Sequence, residues 1–311
     1  MTEARHPGGA AAETRAGFVA VLGAPNAGKS TLVNQLVGQK VSIVTPKPQT
    51  TRTRVLGIMV EGPAQLVLVD TPGIFAPQRR LDRAMVQAAW TAAEEADVAL
   101  LLVDASAKRA VEDSHAIAER LAGLRAQRAN VLALNKIDLV KREALLALVA
   151  RLNGAGRFDA TFMIAALSGD GVGDLKRDLL ARMPESPWLY PPDDATTATQ
   201  RDLAAEITRE QLFLQLRQEL PYHLAVETEA WEEFDDGSVR VQQVVTVARD
   251  SHKAMVIGKG GTRIKEVREK AQAELAAAEG RPVHLFLTVR VRENWAEDPA
   301  TYKAMGLDWD A

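Results

Sequence analysis

The chain has no cysteine. That absence removes disulfides, cysteine-ligated zinc, iron–sulfur clusters and thiol nucleophiles from consideration. It agrees with a reducing compartment without requiring one, since secreted proteins also lack cysteine. Long apolar runs are missing too. The longest, such as Val98 to Val103, is strand-sized and far below the roughly 18–20 residues of a membrane span. The opening MTEARHPGGAAAETRAG has no apolar h-region, so a cleaved secretory signal is not expected, and residues 1–16 read as a flexible tail. There is no internal repeat or low-complexity block, and no excess of one charge. Lys+Arg total 38 against Asp+Glu 41, a formal net charge of −3, which as a whole-chain number gives no sign of a nucleic-acid binder. A soluble cytoplasmic protein is the expectation.

What remains is ordinary globular material: 311 residues, 47% hydrophobic and 25% charged. At roughly 100–200 residues per domain the length suggests two. From Phe18 to about Met183 short apolar runs (18–23, 55–60, 64–70, 97–104, 130–135, 161–166) alternate with helical patterns such as Leu81 to Glu95. Runs that are apolar at nearly every position suit parallel strands covered on both faces. The expectation is an α/β domain with a mostly parallel sheet over 17–186. Pro184, Pro187, Pro191 and Pro192 then break the pattern, and 187–200 reads as a stiff linker. Over 201–311 the order changes to a helix from about Arg201 to Leu220, strands at 223–234 and 239–249, a short helix, a helix to Glu279 and a strand at 282–291. That is a smaller α+β unit, ordered α-β-β-α-α-β.

GAPNAGKS, comprising Gly23, Ala24, Pro25, Asn26, Ala27, Gly28, Lys29 and Ser30, follows a strand and opens a helix with Thr31. This is the setting of a phosphate-binding P-loop. Glycines let backbone N–H groups turn inward, Lys29 brings charge to the β- and γ-phosphates, and Ser30 offers a hydroxyl to Mg²⁺. NKID (135–138) ends a strand on the carboxyl edge of the sheet, where ligands bind in such folds. Asp138 can accept two N–H bonds from guanine, an edge adenine lacks, with Asn135 bracing the loop and the Lys136 stem covering the base. A site that leaves such a carboxylate unpaired rejects other bases strongly. In DTPG, Asp70 can reach Mg²⁺ and the Gly73 N–H can bond the γ-phosphate, with Thr71 and Pro72 between them. KPQTTRTR (47–54) is the natural place for the other switch, where Thr50 or Thr51 completes the Mg²⁺ shell. Lys29, Thr50, Thr51, Asp70 and Gly73 form the candidate catalytic set.

These motifs, in this order, resemble the translation-factor-related branch of small GTPases. The resemblance implies a Ser-Ala loop whose backbone contacts guanine. Here the matching stretch is Ile164-Ala165-Ala166-Leu167, with Ala165 at the usual serine. Ile74 stands where Ras-like proteins carry the water-orienting glutamine, so slow hydrolysis dependent on a partner or a cation is expected. Asn26 is the candidate K⁺ ligand.

VIGKGG, with Ile257, Gly258, Lys259, Gly260 and Gly261, lies between two helices. A GxxG turn lets a nucleic-acid backbone approach, and with the element order it resembles a bacterial-type (type II) KH domain, which clamps about four nucleotides. Lys259 can meet a phosphate. Arg249, Lys253, Arg263, Lys265, Arg268 and Lys270 outnumber Asp250, Glu266 and Glu269 nearby, although about half of such charges belong to solvated helix faces.

A P-loop GTPase followed by one KH domain resembles the Era family over nearly the whole chain. The resemblance implies a GTP-to-GDP switch whose GTP form binds the 3′ end of 16S rRNA during 30S assembly, with RNA stimulating hydrolysis. It further implies a monomer, no DNA partner, and a cytoplasmic location with peripheral contact at the inner face of the membrane. Two other readings compete. One is a signalling or membrane-surface GTPase that docks protein through its C-terminal domain, for which Trp295 and Trp309 look exposed. The other is an RNA chaperone whose nucleotide site is only structural.

Overall fold

The computed structural model describes residues 14–124, 128–217 and 220–311. Its first unit is a six-stranded sheet in the order β2-β3-β1-β4-β5-β6. These strands are β1 (Arg15–Leu22), β2 (Val55–Glu61), β3 (Ala64–Asp70), β4 (Val98–Asp104), β5 (Ala129–Asn135) and β6 (Ala160–Met163). Only β2 is antiparallel to its neighbour. All seven residues of β3 are buried, which explains its continuous apolar sequence: helices cover both of its faces. Those helices are α1 (Lys29–Val37), α2 (Arg80–Glu95), α3 (Ala110–Gly123), α4 (Arg142–Ala155) and α5 (Val172–Ala181). Two apolar clusters sandwich the sheet. One contains Leu22, Leu101 and Leu132, and the other Val21, Leu32 and Leu100.

The second unit runs α6 (Gln200–Gln215), β7 (Leu224–Glu233), β8 (Val239–Val247), α7 (Asp250–Ile257), α8 (Thr262–Glu279), β9 (Val283–Val291) and α9 (Pro299–Ala304). Its sheet has the order β7-β8-β9, with β8 and β9 parallel. The α-β-β-α-α-β order of a KH domain is thus present, followed by a short tail helix. Residues 187–200 run beside the first sheet, where the Trp188 indole donates to the Pro63 carbonyl at 3.0 Å and Ile58 N–H donates to Ala195 at 2.7 Å.

The structure differs from the sequence expectation in several places. Most of the expected tail lies outside the described residues, but β1 already begins at Arg15. β6 ends at Met163 rather than 166, because Ala165 N–H turns to Asp170 and Ala166 N–H to Asn135. α6 ends at Gln215, five residues before the expected Leu220, and the Lys47 ammonium captures the Phe213 and Leu216 carbonyls at that end. A cation beside the last carbonyls of a helix is favourable. Trp295 is buried and Trp309 is half-buried. The tail folds back on α2, so that Tyr302 and Leu307 pack on Ala84, Met85 and Ala88. Arg80 stacks on the Trp309 ring at 4.2 Å.

Candidate functional site

The carboxyl ends of β1, β3, β4 and β5 converge, as a parallel sheet requires, on a cavity of about 550 Å³. Residues 23–28 leave β1 and curl beneath it. At Gly23 a Cβ would lie 2.2 Å from the Leu102 carbonyl, and at Gly28 (φ +97°) it would lie 2.3 Å from the Asn135 amide. Both positions therefore admit only glycine without displacing backbone or the base loop.

Lys29 is buried and donates to the Gly23 and Ala24 carbonyls at 3.3 and 3.1 Å. Burial pushes its ammonium down to about 8, against the opposing pull of the Asp70 charge. Burial also raises Asp70, opposed chiefly by its bond from Ser30 and the charge of Lys29. Each group needs the other, or a ligand of opposite charge, to remain ionised in this interior.

Ser30 Oγ donates to Asp70 Oδ2 at 2.7 Å, and Thr51 Oγ1 lies 3.0 Å from Ser30 Oγ and 3.2 Å from that same carboxylate oxygen. Of the two candidate threonines, Thr51 is the one brought to this cluster. Thr50 Oγ1 instead bonds the Lys47 carbonyl at 2.8 Å and Thr45 Oγ1 at 2.7 Å. Asp70 Oδ1 is buried and, among the described residues, has no hydrogen-bond partner. Two hydroxyls and a carboxylate that has one oxygen to spare are hard donors that fit Mg²⁺.

On the far side, Asn135 ties three segments together. Its amide donates to the Ala27 carbonyl at 2.8 Å, and its oxygen accepts from Ala166 N–H at 2.9 Å. Lys136, at positive φ, reaches the Asn26 carbonyl at 3.0 Å and Asp104 at 2.6 Å. Asp138 is exposed at the rim, beside Leu139 and the exposed Leu167. Asn26 is also at positive φ and presents an exposed side chain, while Pro25, Thr31 and Ala165 complete this lining.

Gly73 abuts Pro25, and Ile74 N–H donates to Gly23 O at 3.0 Å. The Ile74 side chain is in the core, so no polar group points from that position. Thr71 turns inward to the Val21 carbonyl at 2.7 Å and, with Pro72, is buried behind the cavity.

The motifs missed Asp104, whose only sequence signal is that it ends the run DVALLLVD at the same sheet edge. They also missed the support of residues 40–52 by the C-terminal domain. Glu210 accepts from Val44 N–H at 2.7 Å and pairs with Lys40. Arg209 donates to the Thr50 carbonyl at 2.6 Å, and Arg52 to the Leu224 and Pro221 carbonyls at 2.7 and 3.0 Å. Burial and the neighbouring Arg209 charge bring the Arg52 guanidinium down to about 9.

In the second domain Gly258, Gly260 and Gly261 all have positive φ. Lys259 and Gly260 are exposed, and nothing lies within 4 Å of a Cβ placed on Gly260. Ile257 and its neighbour Gly258 are half-buried. Arg263 folds onto the Met255 carbonyl. Lys265, Arg268 and Lys270 pair along α8 with Glu269, Glu269 and Glu266, so the basic side chains of α8 are largely offset by acids of the same helix.

A family model described as a 50S ribosome-binding GTPase matches residues 18–136, and a KH domain model matches 219–296. The GTPase Era of Afipia carboxidovorans is 56% identical over 296 residues, 95% of each chain. That of Brucella melitensis is 54% identical over 299 residues, 96% of this chain and 95% of its own. Two solved structures each superpose with a TM-score of 0.85 at 35% identity, covering 94% of this chain and 99% of theirs. One is a point variant of Aquifex aeolicus Era bound to GDP and AlF4⁻. The other is Era with MgGDPNP and nucleotides 1506–1542 of 16S ribosomal RNA. With a P-loop cavity, a guanine-type base loop and a KH domain joined in one chain at this level of identity, the chain belongs to the Era family of GTPases.

Proposed function

We propose that the protein is a Mg²⁺-dependent GTPase switch whose KH domain binds single-stranded RNA at the 3′ end of 16S rRNA in 30S subunit assembly. The observation that carries the nucleotide half is the Asn135 side chain, which joins P-loop carbonyl to base-loop N–H across one cavity. Ser30, Thr51 and Asp70 would hold Mg²⁺, which neutralises charge on the transferring phosphoryl group. The backbone N–H groups of 23–30 bind the phosphates, and Lys29 leaves its loop carbonyls to meet them. Gly73 N–H faces the γ-phosphate, so residues beyond it respond to hydrolysis. With Ile74 in the core, no side chain there aligns the attacking water, and slow intrinsic turnover follows. Asn26 as a K⁺ ligand belongs to this proposal; equal rates in KCl and NaCl at one ionic strength would remove it.

The RNA half rests on the Gly258–Gly261 turn, whose two middle residues Lys259 and Gly260 are exposed. The protein acts as a cytoplasmic monomer on RNA rather than DNA, with peripheral contact at the inner face of the membrane. Among the described residues no helix is long and apolar enough to cross a membrane. The competing protein-docking reading drew on Trp295 and Trp309, and both are engaged inside the molecule. The test uses two variants. Asp138→Asn loses GTP affinity and gains xanthosine nucleotide affinity, because an amide cannot accept both guanine N–H bonds. Lys259→Glu with Gly260→Asp loses binding to a 3′-terminal 16S fragment while keeping nucleotide. Normal GTP binding in the first variant, or normal RNA binding in the second, contradicts the assignment.

A further inference from the structure

Thr51 is bracketed by the other domain. Its preceding carbonyl and its following side chain are both held by residues beyond the linker. Arg209 of α6 donates to the Thr50 carbonyl at 2.6 Å, and Arg52 is buried with its guanidinium on the Leu224 and Pro221 carbonyls. The Thr50 carbonyl and the Thr51 nitrogen belong to one rigid peptide plane, so fixing that oxygen fixes where the Thr51 backbone starts.

Arg209 is itself tightly oriented. It is 4% exposed, its Nε donates to Glu206 Oε1 at 2.7 Å, a second guanidinium nitrogen also meets Glu206, and it stacks on the Phe213 ring at 5.2 Å. Such a fork can hold a carboxylate and a carbonyl at once, which a single ammonium does less well.

We propose that Arg209, carried on the RNA-binding domain, is a positioning residue for the GTPase reaction, holding the Thr50–Thr51 peptide so that Thr51 Oγ1 faces Ser30 and Asp70. The proposal rests on reading Thr51 as the switch threonine that serves the triphosphate state. It makes the C-terminal domain part of the nucleotide site: the cavity wall at 44–51 is held from α6 through Val44 and Thr50 as well as from Ser30 and Asp70. Loss of Arg209 therefore acts selectively. The bonds that shape the P-loop and base loop, which hold the diphosphate and guanine, come from their own domain, whereas Thr51 does its work with the γ-phosphate.

The test is equilibrium binding of a fluorescent non-hydrolysable GTP analogue and of fluorescent GDP, both with Mg²⁺, to the full chain. Turnover is measured alongside. A charge-assisted hydrogen bond lost from a buried carbonyl predicts about a tenfold or greater loss of GTP-analogue affinity for Arg209→Met. GDP affinity stays within about twofold, on the reasoning that neither diphosphate nor base loop uses that bond. Arg209→Lys shifts in the same direction by less. Glu206→Gln, which keeps the arginine and its packing, also shifts in that direction and reads out the proposal if Arg209→Met fails to fold. Unchanged GTP-analogue affinity in the Lys and Gln variants, or equal losses for both nucleotides, overturns the proposal. Thr51→Ala separates the two layers: a neutral Thr51→Ala overturns the reading of Thr51, whereas a selective GTP loss in Thr51→Ala without one at Arg209 overturns only the role of Arg209.

Discussion

The two walls of the nucleotide cavity are built differently. The base side is supported from within its own domain, through Asn135, Lys136 and Asp104 at the ends of β5 and β4. The switch side, from Lys40 to Arg52, is held by Asn34, Ser30 and Asp70 of its own domain but also takes bonds from α6, α8 and the start of β7 in the other domain. A wall supported locally is suited to hold guanine in every state. One supported by the RNA-binding domain is suited to report whether a third phosphate is present. The difference teaches that the two domains share one cavity, since the wall at 40–52 is the one the second domain grips.

Breaking the base wall has the largest expected effect. Asn135→Ala leaves the Ala27 carbonyl and the Ala166 N–H unpaired in a buried setting, a cost of about 3 kcal/mol. Isothermal titration should find GTP and GDP weakened alike, by about a hundredfold. Thr51→Ala, on the switch wall, should weaken a GTP analogue and slow turnover by about tenfold with GDP unaffected, an effect on the order of one charge-assisted bond. Thr50→Ala, whose hydroxyl serves only the local turn, should cost less than about 1 kcal/mol in stability and leave nucleotide selectivity intact.

Smaller still is the domain contact itself. Lys40→Met removes ion pairs to both Glu210 and Glu274 from a lysine that is one-third exposed, while Glu210 keeps its bond from Val44 N–H. Thermal unfolding should fall by about 1 kcal/mol or less. Of similar size is Trp309→Ala, which removes the ring contacts with Arg80 and Tyr302, about 1 kcal/mol. Hydrogen exchange should quicken in α9 while GDP binding is unchanged.

Much of this was legible in the sequence because it is local. The P-loop needs Gly23 and Gly28 at fixed spacing, and a Cβ at either would strike the Leu102 carbonyl or the Asn135 amide. NKID ends a strand, and the position of that strand follows from its apolar run. Asp235-Asp236-Gly237-Ser238 has the composition of a turn, and it lies between β7 and β8 with Gly237 at positive φ.

What stayed hidden depends on long-range packing. Choosing Thr51 over Thr50 requires knowing that Thr50 closes a turn on Lys47 and Thr45. The docking of Trp309 requires α2 as a partner surface more than 200 residues away in the chain. Arg209 looks like any polar helix position until its guanidinium is seen on a carbonyl 159 residues earlier. The net charge of −3 was the least informative quantity. It averages over an exposed Lys259 and a helix, α8, whose bases are mostly paired with its own acids.

The most direct measurement is the affinity of the full-length protein for a 3′-terminal 16S rRNA fragment, taken with a non-hydrolysable GTP analogue and again with GDP at one salt concentration. If α6 couples the switch wall to the RNA-binding domain, the fragment binds more tightly in the GTP-analogue state, and Arg209→Met narrows that gap. Equal RNA affinity with the two nucleotides would contradict the account.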